Sequence, residues 1–225
     1  MAAMPSPIDA SPSRVFADRR QAGRALARRL RGLVREQPVV LALPRGGIPV
    51  ASEIAAMLGA PLDVLVARKI RAPGNPELGI GALAEDDVRV LSEGAAASLD
   101  IDEREIERAA AQAAREVADG VTRYRGGRPP TPLRGRTAVI VDDGLATGGT
   151  ALAAVRAARR LGARRVVLAV PVGAPASVRL LAREADAVVC LLEPQPLWAI
   201  GLWYEDFAQV SDAEVRELLG HSSAV

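Results

Sequence analysis

Short runs of apolar residues alternate along this chain with segments that have the spacing of amphipathic helices. Five runs are predicted to form strands, at residues 38–43, 62–70, 137–141, 165–170 and 187–192. Because the runs are mostly continuous rather than alternating, we expect both faces of their sheet to be covered. Strands that alternate with helices imply βαβ units. The chain is therefore predicted to be an α/β protein with a mainly parallel, twisted sheet flanked by helices.

Capping residues and helical periodicity predict the segments between the strands. Asp18 can cap a helix that runs to about residue 35, and Gly59 can end a helix over 48–58. Further helices are predicted from Asp102 to about 123, over 149–161, over 176–184, and after Ser211, where Glu214 completes a capping box. Residues 80–84 and 88–92 are predicted to pair as a small hairpin, and residues 71–79 to form a loop.

The distribution of small and polar residues predicts one domain preceded by a tail. Residues 1–13 are rich in proline, serine and alanine, and we expect them to be disordered. Residues 14–220 are expected to form a single domain, with a core over about 38–192 and a C-terminal segment over 193–220.

The composition disfavours nucleic-acid binding and catalysis that depends on cysteine or histidine. Of 225 residues, 49% are apolar, and the formal net charge is only +2, so no large positive field favours nucleic acid. Cys190 is the only cysteine and His221 the only histidine, which disfavours a disulfide framework and a Ser-His-Asp or Cys-His mechanism. The sequence shows neither a signal peptide nor a membrane span, so we expect a soluble, cytoplasmic protein.

The most informative segment is residues 139–150, Val-Ile-Val-Asp-Asp-Gly-Leu-Ala-Thr-Gly-Gly-Thr. A strand, a loop of small residues and a helix N-terminus form a cradle for phosphate, because backbone N–H groups and the helix dipole favour an anion. Asp142 and Asp143 would repel a phosphate but suit the hydroxyls of a sugar, with or without a divalent cation. The pattern therefore predicts a phosphorylated sugar as ligand. The alternative is a buried strand whose glycines only form a turn. Two adjacent acids at the end of such a strand cost free energy to bury if they have no function.

This segment resembles the phosphoribosyl diphosphate (PRPP) signature of type I phosphoribosyltransferases. The resemblance implies that family's sheet with a small hood from the terminal segments, and PRPP with Mg²⁺ as ligands. It implies that Asp142 and Asp143 hold the ribose hydroxyls, with the Mg²⁺ carried by PRPP near them and no direct metal ligand assigned. The 5′-phosphate would be bound by residues of the loop and helix start, namely Ala146, Thr147, Gly148, Gly149 and Thr150.

A second loop, Leu43-Pro44-Arg45-Gly46-Gly47, also lies between a predicted strand and a predicted helix. Its two glycines allow a close approach to an anion, and Arg45 can add charge-assisted bonds. The loop resembles the pyrophosphate loop of the family, in which a non-proline cis peptide occurs. By position that bond is expected between Arg45 and Gly46.

The segment 68–79 places three cations, Arg68, Lys69 and Arg71, at the end of a predicted strand, and Lys69 is the only lysine of the chain. A solvated turn is one interpretation. The other is a mobile lid, since the segment resembles the Arg-Lys-x-x-Lys lid of orotate phosphoribosyltransferases. The spacing of Arg71 departs from that pattern, so the resemblance assigns catalytic roles only to Arg68 and Lys69.

Four of the six aromatic residues, Trp198, Trp203, Tyr204 and Phe207, lie within ten positions. Rings such as Trp203 and Tyr204 can stack on a flat acceptor, but aromatics also fill cores and anchor dimers. The long helix after Asp102 is likewise compatible with a solvated face or with a homodimer surface. The arginines that follow Asp18 receive no chemical role, because a capped amphipathic helix explains them.

The sequence thus predicts an enzyme that transfers ribose 5-phosphate from PRPP to a small acceptor, a nucleobase or related heterocycle, and releases pyrophosphate. The alternative is a non-catalytic PRPP or nucleotide sensor on the same fold, and a sugar-phosphate hydrolase or isomerase is a third hypothesis. Ala146 stands where purine enzymes commonly carry an acid, which disfavours such a purine acceptor. The loop is closer to the uracil type, but the C-terminus lacks the glycine-rich stretch expected there. The acceptor stays open, and the order of motifs resembles uncharacterised bacterial phosphoribosyltransferase-like proteins.

Overall fold

The structure, a computed structural model, describes residues 15–34, 37–92 and 99–221. At its centre is a five-stranded sheet in which every pair of neighbouring strands is parallel. The strand order is β2-β1-β6-β7-β8, where β1 is Pro38–Ala42, β2 Leu62–Val64, β6 Thr137–Val141, β7 Arg165–Val172 and β8 Ala187–Leu192. The predicted α/β fold is confirmed. The tail predicted over 1–13 lies outside the described residues.

Helices cover both faces of this sheet. They are α1 (Arg19–Leu30), α2 (Gly47–Leu58), α3 (Glu103–Arg125), α4 (Gly149–Arg160), α5 (Pro175–Leu181) and α6 (Asp212–His221), with a 3₁₀ helix at Ile200–Trp203. Successive strand residues point to opposite faces. Val40 and Val139 accordingly join the cluster with α1 and α2, whereas Val39 and Ile140 join the one with α4. Continuous apolar strands follow from this double burial.

The predicted caps are present, but several helix ends differ from the sequence prediction. Asp18 accepts a hydrogen bond from the Gln21 backbone N–H at 2.6 Å, and Gly59 ends α2 in the left-handed conformation. Helix α1 ends at Leu30 rather than near 35, and α5 ends at Leu181 rather than at 184. The Ser211 Oγ accepts the Glu214 N–H at 3.1 Å, as a cap should.

A second, three-stranded antiparallel sheet corrects two predictions. The segment predicted as one strand over 62–70 is two strands in different sheets, because the chain leaves the parallel sheet after β2 and begins β3 (Ala67–Ala72). The predicted loop over 71–79 is wrong, since β4 (Asn75–Ala84) pairs with β3 across a tight turn at Gly74. β5 (Val88–Leu91) completes the sheet and confirms the predicted hairpin. Within β3 the exposed Lys69 and Arg71 alternate with the buried Ile70 and Ala72, which is the pattern of a half-exposed strand.

A buried ion network joins the small sheet to the large one. Arg125, at the end of α3, donates through Nε to Asp63 Oδ1 of β2 at 3.2 Å and through Nη1 to Glu85 Oε2 of the β4–β5 turn at 2.5 Å. Its Nη2 donates to the Val64 carbonyl at 2.7 Å. Asp63 also accepts the Thr131 N–H at 2.8 Å. These contacts fix the small sheet, and therefore Arg68 and Lys69, relative to the main sheet.

The N-terminal segment meets the segment before α6 beside the main sheet. The Phe16 N–H donates to the Trp203 carbonyl at 2.9 Å, and the Glu205 N–H donates back to the Phe16 carbonyl at 2.8 Å. A small apolar cluster that contains Phe16, Tyr204 and Phe207 packs around this contact. Among the described residues, no helix is both long and apolar enough to span a membrane.

Candidate functional site

Two loops meet at the C-terminal edge of the parallel sheet. The strands β1 and β6 are neighbours in register, with Ala42 opposite Val141, and the Leu43 N–H extends the pairing to the Val141 carbonyl at 2.8 Å. The loop after β1 therefore begins beside Asp142 and Asp143. Ligands of open α/β sheets bind at this edge, beyond the carboxyl ends of the strands.

Gly46 and Gly47 are needed for the close packing of these two loops. A Cβ on Gly46 would overlap Asp143 Oδ2, and a Cβ on Gly47 would lie 2.5 Å from the Val141 carbonyl oxygen. Gly46 itself has helical backbone angles, φ −59° and ψ −36°. Glycine is therefore required there because a side chain would not fit, and not because of the backbone conformation. The structure packs the Asp143 carboxylate against Gly46, and the approach of these glycines to a bound anion stays a prediction.

The non-proline cis peptide bond lies between Pro44 and Arg45, one bond earlier than predicted. Gly46 already has helical angles as the N-cap of α2, and the Ile48 N–H donates to the Arg45 carbonyl at 3.1 Å. The chain thus enters the helix at Gly46, and the change of direction falls before Arg45.

Asp142 follows β6 directly and its carboxylate has a polar partner on its own loop. Its Oδ1 accepts the Asp143 backbone N–H at 2.8 Å. Burial raises the pKa of Asp142 well above its ordinary value, and the neighbouring Asp143 carboxylate raises it further. The hydrogen bond from the Asp143 N–H and the charge of Arg19 oppose this rise without reversing it.

Asp143 is held by residues from both terminal segments. Arg19 donates through Nε to Asp143 Oδ2 at 2.9 Å, with only 10% of the Arg19 side chain and 17% of the Asp143 side chain exposed. The Tyr204 hydroxyl donates to the Asp143 carbonyl at 2.6 Å. Burial raises the pKa of Tyr204, and the nearby Asp143 carboxylate raises it further.

The loop 144–148 is shaped as a cradle in front of α4. The Leu145 N–H donates to the Val172 carbonyl at 2.8 Å, and the Ser177 Oγ donates to the Ala146 carbonyl at 2.5 Å. Gly148 adopts φ +81°, which turns the chain into the helix. The backbone N–H groups of the first helical turn have no partner within the helix, and such a helix start favours an anion.

A cavity of about 350 Å³ lies where the loops and the small sheet converge. It brings together the predicted residues Arg68, Lys69, Asp142 and Thr150, beside Pro44 of the loop after β1. Arg71, to which the resemblance gave no role, also lines it. A larger cleft, of about 720 Å³, lies at the other end of α2, near Gly59 and Glu217, and contains none of the predicted site residues.

Arg45 does not line this cavity in the structure. Its Nη1 lies 3.6 Å from Asp212 Oδ1, at the start of α6. Asp212 also receives Arg123 Nη1 at 3.3 Å and the Tyr124 hydroxyl at 3.2 Å. To bind pyrophosphate as predicted, Arg45 would exchange this carboxylate for a phosphate oxygen.

The aromatic residues of the C-terminal segment differ in how far they are buried. Tyr204 is buried, with its ring centre 5.7 Å from that of Phe16 and 4.9 Å from that of Phe207. An acceptor would have to displace these neighbours to stack on Tyr204. Trp203 is half-buried and Trp198 is 82% exposed. Stacking of an acceptor on Trp203 stays a prediction.

Two residues of the site gave no signal in the sequence. Arg19 is 124 positions from Asp143, and its neighbours show only a capped helix. Ser177 lies in a short helix 31 positions from the carbonyl that it binds. A hydrogen bond between distant segments leaves no periodic pattern, so only the fold could reveal either contact.

The carboxylates present fit a metal ion that arrives with a ligand better than a resident one. Among the residues that the structure describes, no group of three or more His, Cys, Asp or Glu side chains could hold a metal. Mg²⁺ commonly binds proteins through one or two carboxylates and takes its remaining ligands from phosphates and water. Asp142, which lines the cavity, suits that arrangement.

Comparisons with known proteins give a consistent result. The family model for the phosphoribosyl transferase domain matches residues 16–205. Two proteins of Mycobacterium tuberculosis, both named "putative phosphoribosyl transferase", are 49% identical over 206 residues, which are 92% of this chain and 46% of those proteins. The chain thus spans about half the length of the curated relatives it matches. The crystal structure of TT1426 from Thermus thermophilus is 45% identical with a TM-score of 0.78, and the match covers 91% of this chain and 97% of that one.

Proposed function

The chain belongs to the phosphoribosyl transferase domain family, and on that premise we propose that it transfers the 5-phosphoribosyl group of PRPP to a small heterocyclic acceptor and releases pyrophosphate. One observation carries the proposal. A single cavity of about 350 Å³ is lined by an acid, by three cations and by a residue of the phosphate cradle.

The cradle in front of α4 would bind the 5′-phosphate. The N–H groups of the first turn, which lack a partner within the helix, point out toward the loop, and the helix dipole favours negative charge there. The Thr147 and Thr150 hydroxyls can add donors, and Thr150 lines the cavity. Ala146 is exposed, with its carbonyl fixed by Ser177, so the loop is already shaped before a ligand binds.

The remaining parts of PRPP would lie along the cavity. Asp142, which lines the cavity, would accept the ribose hydroxyls together with the adjacent Asp143. Arg68, Lys69 and Pro44 also line the cavity, and the pyrophosphate would lie against them. When bound, Mg²⁺ would neutralise part of the pyrophosphate charge beside Asp142.

The charged residues that line the cavity match the charges that develop during the transfer. The bond between the anomeric carbon and the pyrophosphate oxygen breaks, which leaves positive charge on the ribose and negative charge on the leaving group. An acid and three cations in one cavity would stabilise these two charges as they develop. The acceptor nitrogen then bonds to the anomeric carbon and loses its proton to solvent or to a nearby base.

The test is to supply labelled PRPP and Mg²⁺ with a panel of nucleobases and related heterocycles, and to measure pyrophosphate release. We expect at least one acceptor to give turnover, and Lys69→Ala to lower the rate more than the affinity for PRPP. Arg89→Ala is the matched control, since Arg89 lies on the same small sheet but pairs with Glu107 at 2.6 Å. No binding of PRPP would overturn the proposal. Tight binding without turnover on any acceptor would favour a sensor.

A further inference from the structure

Arg19 is a buried cation with three well-placed contacts. It is 9% exposed. Its Nε donates to Asp143 Oδ2 at 2.9 Å, its Nη1 donates to the Ala208 carbonyl at 2.9 Å, and its central carbon lies 3.8 Å from the centre of the Phe207 ring. A guanidinium so enclosed gains from its carboxylate and from the ring face, and it is costly to bury without them.

The oxygen that Arg19 binds is also in contact with the loop after β1. Oδ2 of Asp143 is the atom that a Cβ on Gly46 would overlap. This oxygen is therefore enclosed between Arg19 and the backbone at Gly46. The Asp143 side chain can turn only if it loses its cation or displaces the loop.

The two neighbouring acids consequently differ. Asp142 lines the cavity with Lys69 and Thr150, whereas Asp143 is absent from the lining of that cavity. The two are linked, because the Asp143 N–H donates to Asp142 Oδ1. Arg19 binds the Asp143 side chain and Tyr204 binds its carbonyl, so the residue whose N–H holds the Asp142 carboxylate is fixed at both its side chain and its backbone.

We propose that Arg19 is a positioning residue for the ribose of the donor. By holding the Asp143 carboxylate against Gly46, it fixes the pair of acids in the orientation in which the Asp142 carboxylate faces the cavity and the ribose hydroxyls. Arg19 also supplies the positive charge that two adjacent carboxylates need if an anionic sugar phosphate is to bind beside them. The inference rests on the proposed function, since it takes the cavity to be the PRPP site.

The test measures binding of ribose 5-phosphate and of pyrophosphate, each with Mg²⁺, by titration calorimetry. The variants are Arg19→Gln, Arg19→Lys, Asp143→Asn and the double variant Arg19→Gln with Asp143→Asn. Arg20→Gln is the matched control, because Arg20 is the next residue and pairs on the surface with Glu53 at 3.6 Å.

We expect Arg19→Gln to weaken ribose 5-phosphate by about tenfold, the equivalent of 1.4 kcal/mol, and to leave pyrophosphate within about twofold. Arg19→Lys should recover part of the loss, since it keeps the charge but not the fork of donors. The double variant should bind ribose 5-phosphate no more weakly than the single variant with the lower affinity, because both substitutions break the same Arg19–Asp143 interaction. Arg20→Gln should bind as the wild type does.

A purely structural Arg19 would give a different result. Both ligands would then weaken together, in step with the loss of thermal stability, and this would overturn the inference. Unchanged binding of ribose 5-phosphate by Arg19→Gln would also overturn it, while the proposed function would stand. If Arg19→Gln does not fold, Arg19→Lys carries the test, with a smaller loss expected that is still selective for ribose 5-phosphate. A wild-type protein that binds neither ligand would overturn the proposed function and this inference with it.

Discussion

Asp142 is a residue whose surroundings oppose its charge. Burial and the adjacent Asp143 raise its pKa above the ordinary value of 3.8. When the pKa of a group is higher in the folded chain than in the unfolded chain, folding becomes less favourable as the pH rises above the unfolded value. The ionised acid therefore costs stability at neutral pH, which fits a group kept for binding rather than for folding.

We predict that Asp142→Asn stabilises the ligand-free protein at pH 7, because the amide keeps the acceptor for the Asp143 N–H and removes the charge. The gain should vanish as the pH falls to about 4, near the ordinary pKa of 3.8. Thermal unfolding between pH 4 and 8, in the presence of EDTA, measures it, at roughly 2–4 °C per kcal/mol for a chain of this size.

Asp143→Asn is the matched comparison, since it removes the partner of the buried Arg19. It should lower the stability by about 3 kcal/mol at pH 7. Equal destabilisation by the two substitutions would contradict the distinction between the two acids.

Position 46 requires glycine because a side chain would not fit there, and not because of its backbone angles. Gly46→Ala is expected to destabilise the protein by about 1–3 kcal/mol, because the new methyl group displaces the Asp143 carboxylate from Arg19. Gly149→Ala is the control, since its Cβ would meet no atom within 4 Å. It should be neutral or gain up to about 1 kcal/mol. Urea unfolding measures both variants, and an equal loss in the two would contradict the steric explanation.

At the scale of elements, the ion network around Arg125 connects α3, β2 and the turn between β4 and β5. This connection matters for the site because the small sheet carries Lys69. The three cations all lie on the paired strand β3, whereas the sequence predicted a strand only as far as residue 70 and placed Arg71 in a loop. Their positions are therefore set by the packing of the small sheet.

We predict that Arg125→Met lowers the free energy of unfolding by about 3–5 kcal/mol, because it leaves Asp63 and Glu85 buried without their cation. Arg123→Met is the control two residues earlier, where the side chain is 53% exposed. It should cost less than about 1 kcal/mol. Urea unfolding checks the difference, and hydrogen exchange should show the backbone of β3–β5 to be the region most affected. Similar losses for the two arginines would refute this role of the network.

At the scale of the molecule, the two terminal segments close over one side of the site. Phe16 pairs with residues 203 and 205, and Tyr204 carries this contact to the carbonyl of Asp143. The hood implied by the family resemblance is thus joined to the first turn of α1 by hydrogen bonds, by ring contacts and by Arg19.

Phe16→Ala tests this closure, because it removes a ring from the cluster and leaves the backbone bonds possible. The expected cost is about 2 kcal/mol, less than for a fully buried ring. Trp198→Ala is the control in the C-terminal segment that Phe16 pairs with, since Trp198 is 82% exposed, and its effect should stay within about 0.5 kcal/mol. Thermal unfolding of both variants checks this, and an equal or larger loss at Trp198 would show that the closure lies elsewhere.

The α/β class, the strands β1, β6 and β8, the capping of α1 and the two glycine loops could all be predicted from the sequence. These features depend on local patterns: continuous apolar runs, capping residues and a contiguous signature around Asp142. The same local reasoning merged β2 with β3 and predicted a loop where the chain forms a hairpin, because a strand's partner is not encoded in its neighbouring residues.

Contacts between residues far apart in the sequence could be learned only from the packed fold. Arg19 and Ser177 reach the site from segments far away in sequence, Arg45 is paired with Asp212, and Tyr204 supports the Asp143 loop rather than standing open beside it. The physical reason is that each of these contacts depends on the relative placement of packed elements. Burial increases the energetic importance of these contacts. It makes the Asp143 carboxylate a structural partner of Arg19, whereas the Asp142 carboxylate faces the cavity.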